Sequence, residues 1–298
     1  MRRRFNTLDV FTTQRFAGNP LAVVLDCDGL TTDAMQAITR EFNLAETVFV
    51  LPPAQAGHRA RLRIFTPARE IPFAGHPTVG TAVLLARLDG GTGRRELVLG
   101  EGVGPVACTV ELAGEGGSAR FDVPRQPERI GDAADRAKLA GALSLAPDDI
   151  GLEDHAPAAW SAGNPFVFVP IKNLAAIGRA QPDLGRWEAG FPPDGPVGAF
   201  LYCRQTVERG ATHHARMFAP KMGVAEDPAT GSAAAAFAGV LAATEQLADG
   251  EHALAIEQGL EMGRPSLIRL TLTMRTGKLA SAAVGGDAVV VSEGTIEA

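Results

Sequence analysis

Cysteine is scarce and scattered. Cys27, Cys108 and Cys203 are the three in a chain of 298 residues, and no two have the short spacing of a zinc pair or a redox dithiol. They read as buried structural thiols, and no metal is expected. Only Lys138, Lys172, Lys221 and Lys278 could form a Schiff base, and none sits in a recognisable pyridoxal setting, so no cofactor is expected. Long apolar runs are missing too. The longest run of small apolar residues, Ala233 to Ala243, falls well short of the roughly 20 residues that span a bilayer. Met1-Arg2-Arg3-Arg4 leads into Phe5-Asn6-Thr7-Leu8-Asp9, which lacks the apolar centre of a secretory signal. The expectation is a soluble, cytoplasmic protein with no membrane partner. Excess positive charge is absent as well: a formal net charge of −6 and a pI near 5.6 give no electrostatic footprint for nucleic acid.

What is present is ordinary globular material. With 46% hydrophobic residues the chain can bury a core, while 34 glycines and 20 prolines point to many turns between short strands. The length suggests about two domains. One stretch organises the rest: Glu226-Asp227-Pro228-Ala229-Thr230-Gly231-Ser232-Ala233, followed by apolar residues on nearly every face. Proline fixes φ near the helical value and lacks an N–H, which places Pro228 at the first helical position and Asp227 at the N-cap. The unpartnered N–H groups of the first turn, with the helix dipole, favour an anion. A helix apolar all round is one that protein surrounds.

The construction occurs twice. His76-Pro77-Thr78-Val79-Gly80 leads into Val83, Leu84 and Leu85 in the same way, with a step of 228 − 77 = 151. Phe65-Thr66-Pro67 matches Phe218-Ala219-Pro220 at 218 − 65 = 153, and Ala17-Gly18-Asn19-Pro20 matches Ala162-Gly163-Asn164-Pro165 at 162 − 17 = 145. Three collinear pairs indicate an internal duplication. Val123-Pro124-Arg125-Gln126-Pro127 is the expected boundary, giving domains 1–124 and 125–298, with the last strands able to pack back on the first lobe. Many strands with one long helix per half imply an α+β fold of two pseudo-symmetric lobes, each an antiparallel, barrel-like sheet wrapped around a central helix.

His76 and Asp227 each stand immediately before a proline, so both side chains are expected to project beyond a helix start. A helix N-terminus disfavours imidazolium, which makes His76 a neutral hydrogen-bonding or shuttling group. If the lobes face each other, two positive helix ends and two proton carriers suit a carboxylate substrate. Glu46, a lone glutamate at a strand entry, carries little weight by itself. His213 and His214 are adjacent on a strand, point to opposite faces and cannot easily share a metal.

Asn43-Leu44-Ala45-Glu46-Thr47, Phe73-Ala74-Gly75-His76-Pro77-Thr78-Val79-Gly80, the Glu226–Ala233 stretch and Ala17-Gly18-Asn19-Pro20 together resemble the signatures of the phenazine-biosynthesis PhzF-like family, over about residues 5–290. The resemblance implies a diaminopimelate epimerase-like fold with the active site between two lobes, usually in a homodimer. It also implies cofactor-independent isomerisation of a small carboxylate-bearing molecule. By the same resemblance Glu46 transfers the proton, His76 and Asp227 assist, and Gly75, Gly231 and Ser232 contact the substrate. Racemases of the wider fold use paired thiols at the helix starts; Ala74-Gly75 and Pro228-Ala229 stand there in this chain, which argues against two-thiol racemisation. A base within about 3 Å of the proton that it removes, able to return it elsewhere, meets the chemical need. The alternative reading is a non-catalytic binder of a small carboxylate metabolite that retains the fold.

Overall fold

The computed structural model describes residues 1–153, 155–196 and 198–298. They divide into two compact units, one of residues 1–124 with 285–298 and the other of residues 125–284. Among the described residues, no helix is long and apolar enough to cross a membrane.

In the first unit β1 (Arg2–Val10), β2 (Asn19–Val24), α1 (Thr32–Phe42), β3 (Glu46–Leu51), β4 (Ala60–Phe65), β5 (Glu70–Ile71), α2 (Gly75–Leu88), β6 (Gly93–Glu101), β7 (Gly104–Ala113) and β8 (Gly116–Asp122) follow in order. The second unit holds β9 (Glu128–Asp132), α3 (Arg136–Ala142), β10 (Ala158–Ser161), β11 (Pro165–Pro170), α4 (Leu174–Ile177), α5 (Trp187–Gly190), β12 (Gly198–Cys203), β13 (His213–Ala219), β14 (Val224–Asp227), α6 (Gly231–Thr244), β15 (Gly250–Gln258) and β16 (Ser266–Arg275). The last strand, β17 (Lys278–Glu297), begins in the second unit and ends in the first.

The pairings of the first unit close on themselves. β1 pairs with β2, β2 with β3, β3 with β4, β4 with β6, β6 with β7, β7 with β8, β8 with β17 and β17 with β1, an eight-stranded barrel. Inside runs α2, buried without a break from Gly75 to Ala86 and packed on β1, β2, β3, β6, β7 and β8. Its mostly apolar sequence is thus the consequence of being packed on strands around it. Each of Val79, Val83, Leu84 and Leu85 gains about 1.5–3 kcal/mol from that burial. On the outer face, α1 is strongly one-sided: Met35 and Ile38 pack with Val24, Phe49 and Phe65.

The second unit repeats the pairing series. β10–β11 is antiparallel, β11–β12 parallel, β12–β13 and β13–β14 antiparallel, β13–β15 parallel and β15–β16 antiparallel. The same order of senses runs from β1–β2 to β6–β7. All three duplicated motifs fall at matching places: into β2 and β11, out of β4 and β13, and into α2 and α6. A second core lies under α3, α4 and α5, where Leu139, Ile177, Trp187 and Phe191 pack on Val167, Val169 and Leu201.

Three expectations need correction. The sheets are mixed rather than antiparallel, because β2–β3 and β4–β6, like β11–β12 and β13–β15, are joined by helical crossovers that bring the chain back in the same direction. Thr31-Thr32-Asp33 marks a helix start in the sequence, with Asp33 as the expected cap; in the structure Thr31 caps α1, its hydroxyl accepting from Ala34 N at 3.2 Å. The central helices also start elsewhere than their prolines suggest. Ala74 caps α2, so His76 is its second residue and Pro77 its third, positions whose N–H groups have no intrahelical acceptor in any case. Thr230 caps α6, leaving Asp227 as the last residue of β14 and Pro228 in the connection.

Candidate active site

In the first unit Glu46 opens β3, pairing in register with Leu21 of β2, and its side chain is partly buried. His76 is 4% exposed in the first turn of α2. The structure brings these two together: His76 Nε2 stands 3.5 Å from Glu46 Oε2. Burial pushes the imidazole down to about 3, so the ring is neutral at physiological pH and the contact is not an ion pair. Nor does His76 Nε2 form a hydrogen bond of good geometry. The neutral imidazole expected from the sequence agrees with this, and desolvation is its cause. Gly75 precedes it as the first residue of α2.

In the second unit Asp227, 7% exposed, leaves β14 directly before Pro228. Thr230 Oγ1 donates to Asp227 Oδ2 at 2.5 Å. Gln258, fully buried at the end of β15, ties down the same turn. Its Nε2 donates to Asp227 O at 2.7 Å and to Thr230 Oγ1 at 3.1 Å, and its Oε1 accepts from Thr230 N at 3.2 Å. Gly259 follows with φ +77, and a Cβ there would lie 2.6 Å from Pro228 O, so the two chain segments meet at a distance that only glycine permits. Gly231 and Ser232 are the first two residues of α6, Gly231 buried and Ser232 partly exposed. The first intrahelical bond is Ala234 N to Thr230 O, so the N–H groups of Gly231, Ser232 and Ala233 have no acceptor within the helix.

Glu226, the neighbour of Asp227, belongs to a polar network that only the fold assembles. Arg216, 6% exposed, grips Glu226 in two-point contact at 2.7 and 2.8 Å and donates to Ile177 O and Ala180 O at 3.0 and 2.8 Å. Next to it His214 sits between two carboxylates, 2.7 Å from Glu257 Oε1 and 3.0 Å from Glu261 Oε1. The sequence carries one sign of the network: Arg216 is a charge among apolar neighbours in Ala215-Arg216-Met217-Phe218. Thr230 stood inside the motif already noted, but its bond to Asp227 depends on the folded turn. Of the predicted site residues, then, Glu46, His76 and Gly75 belong to the first unit and Asp227, Gly231 and Ser232 to the second.

The sequence pattern of the family described as phenazine biosynthesis-like protein matches residues 8–294 of this chain. The chain belongs to the PhzF-like family. A relative from Mesorhizobium japonicum, described as an uncharacterized isomerase, is 52% identical over 99% of this chain and 98% of its own length. The trans-2,3-dihydro-3-hydroxyanthranilate isomerase of Pseudomonas aeruginosa is 36% identical, covering 98% of each chain. Among solved structures, a Bacillus anthracis phenazine biosynthesis protein of the PhzF family superposes over 100% of both chains with a TM-score of 0.89 at 27% identity. The fold is shared more widely with proline-racemase-like proteins. This chain is an isomerase of the PhzF-like family.

Proposed function

We propose that this PhzF-like isomerase works without a cofactor, moving a proton within a small carboxylate-bearing substrate. Glu46 takes the proton and returns it to another carbon. His76 is the neutral partner of Glu46, Asp227 assists the transfer, and Gly75, Gly231 and Ser232 hold the substrate, its carboxylate at the start of α6. The observation that carries this reading is the placement of Glu46 Oε2 3.5 Å from a neutral, buried His76 Nε2. A neutral ring can share a proton with the glutamate, whereas an imidazolium would hold Glu46 as an anion too weakly basic to abstract one from carbon. The reading requires Asp227, Gly231 and Ser232 to act on the same substrate molecule as Glu46. It includes a two-lobed, homodimeric enzyme of the diaminopimelate epimerase type, for which sedimentation would give the oligomeric state.

The experiment is incubation in deuterated water with trans-2,3-dihydro-3-hydroxyanthranilate, the substrate in the name of the Pseudomonas aeruginosa relative, beside other small unsaturated carboxylates. The enzyme is expected to wash deuterium into a carbon position of one of them. Glu46→Gln is expected to lower turnover by about 10²–10⁴-fold, the usual contribution of a positioned acid–base group, with an unchanged circular dichroism spectrum. Near-normal turnover in that variant removes Glu46 from the mechanism; binding with no label uptake in any substrate leaves the non-catalytic reading in its place.

A further inference from the structure

Each central helix has near its start, as the cap of α6 and as the fourth residue of α2, a threonine bonded to the last residue of a β-strand. In the second unit that residue is Gln258, ending β15; in the first it is Glu101, ending β6, at a step of 258 − 101 = 157. Both strands have 9 residues and both lead a hairpin after the central helix, so the two positions correspond. Both side chains are buried, Glu101 at 8% exposure and Gln258 at 0%.

Counting protons distinguishes the two contacts, because a hydroxyl has one to give. Gln258 Nε2 can only donate, so Thr230 Oγ1 accepts from it and passes its own proton to Asp227 Oδ2. Thr78 Oγ1 lies 2.8 Å from Ala74 O and 2.8 Å from Glu101 Oε1. Ala74 O, which already receives Thr78 N–H at 3.2 Å, can only accept, and a hydroxyl that turns its proton there has none for Glu101. The contact with Glu101 is then a hydrogen bond only if Glu101 brings a proton of its own. A carboxylate there would set two acceptors against one donor in a buried place.

We propose that Glu101 is held as a neutral carboxylic acid and is a positioning residue, doing for the helix turn that carries His76 what the Gln258 carboxamide does for the turn that carries Asp227. The relay has the same sense in both units: strand end to threonine hydroxyl, and threonine hydroxyl to an oxygen of the turn. Burial raises the Glu101 carboxyl to about 8, outweighing the lowering that a Thr78 hydroxyl donated to a carboxylate would bring. Glu101 Oε2 is buried with no hydrogen-bond partner, a smaller cost for the C=O of an acid than for an ionised oxygen. The titratable or charged groups around it are Cys108 on β7, whose thiol the Glu101 charge would push up further, and Arg61, Arg63 and Glu70, which share with Glu101 the wall of a hollow of about 430 Å³. Arg63 is already engaged by Glu70 at 2.6 Å.

The protonation of Glu101 stands apart from the proposed reaction; only the step from a braced turn to a working His76 rests on it. The test compares the whole protein with Glu101→Gln and Glu101→Leu. In infrared difference spectra at pH 6–7 the C=O band of a protonated carboxyl is expected in the parent and missing in Glu101→Gln. Glu101 stabilises fully below the ordinary carboxyl value of 4.5, and its contribution is lost as pH rises towards 8. The melting temperature of Glu101→Gln is therefore expected to exceed the parent's increasingly from pH 6 to 9. The ring ¹⁵N shifts of His76, assigned with His76→Asn, are expected to match the parent in Glu101→Gln and to move in Glu101→Leu. No carboxyl band, or a Gln variant as perturbed as the Leu variant, overturns the proposal. Neither spectrum depends on turnover, so an inactive protein with the expected band would count against the isomerase reading and not against this one.

Discussion

Neighbouring side chains on one strand experience opposite fields. His213 faces Tyr202 and Phe237, and burial brings its imidazole down to about 4. His214, on the other face, is also desolvated, but Glu261 and Glu257 overcome that and hold it above its ordinary value. A titration followed by ring NMR is expected to find His213 and His76 neutral throughout pH 5–8, with His214 still charged at pH 6.5; a His214 that titrates below 6.5 would contradict the two-carboxylate clamp. The signs for stability follow. His214 stabilises fully below 6.5 and loses its contribution as pH rises through its folded value. His76 and His213 stabilise above 6.5 and lose theirs as pH falls towards about 3 and 4. That His213 and His214 face opposite ways was legible from strand periodicity. The clamp was not, because Glu257 and Glu261 are more than forty residues away in sequence.

At the scale of elements, the starts of the two central helices were legible to within a turn and misplaced for an identifiable reason. Proline signals that a helix begins nearby, yet it fits any of the first-turn positions and the residues before them. Pro77 took the third helical position and Pro228 stayed outside. The Asp227 turn depends instead on Gly259. Gly259→Ala would add a methyl 2.6 Å from Pro228 O and 2.5 Å from Arg264 O at a φ of +77. The left-handed conformation alone costs about 1–2 kcal/mol, so the melting temperature is expected to fall by several degrees. Turnover should fall more than stability predicts if the turn carries the carboxylate contacts; an alanine variant with unchanged melting would mean that the turn relaxes freely. Alternation of apolar with polar residues marks β1 and β4 in the sequence, whereas β5, β9, β10 and β14 carry no such sign. Those four have 2, 5, 4 and 4 residues, too few to show a period.

At the scale of the molecule, the duplication was the most legible feature, because turns and helix starts use a restricted set of residues and so preserve the trace of a repeat. Alternation could not give the sense of pairing; parallel neighbours follow from which crossovers contain helices. Nor could it show that Gly285–Ala298 belong with residues 1–124. A fragment of residues 1–124 lacks the strand that joins β8 to β1 and is expected to unfold without cooperativity. The same fragment with residues 285–298 joined by a flexible linker should regain a sharp thermal transition if the barrel is sufficient for folding.

That strand arrangement bears on how the protein is made. β1 pairs along its whole length with β17, from Arg2 against Glu297 to Val10 against Ala288. Ribosomes deliver residues at about 5–20 per second, and the amino-terminal part normally settles first. Here β1 leaves the ribosome well before β17 and waits for it, for some tens of seconds at those rates. In the meantime it keeps an open edge that a chaperone, or a neighbouring nascent chain, could occupy.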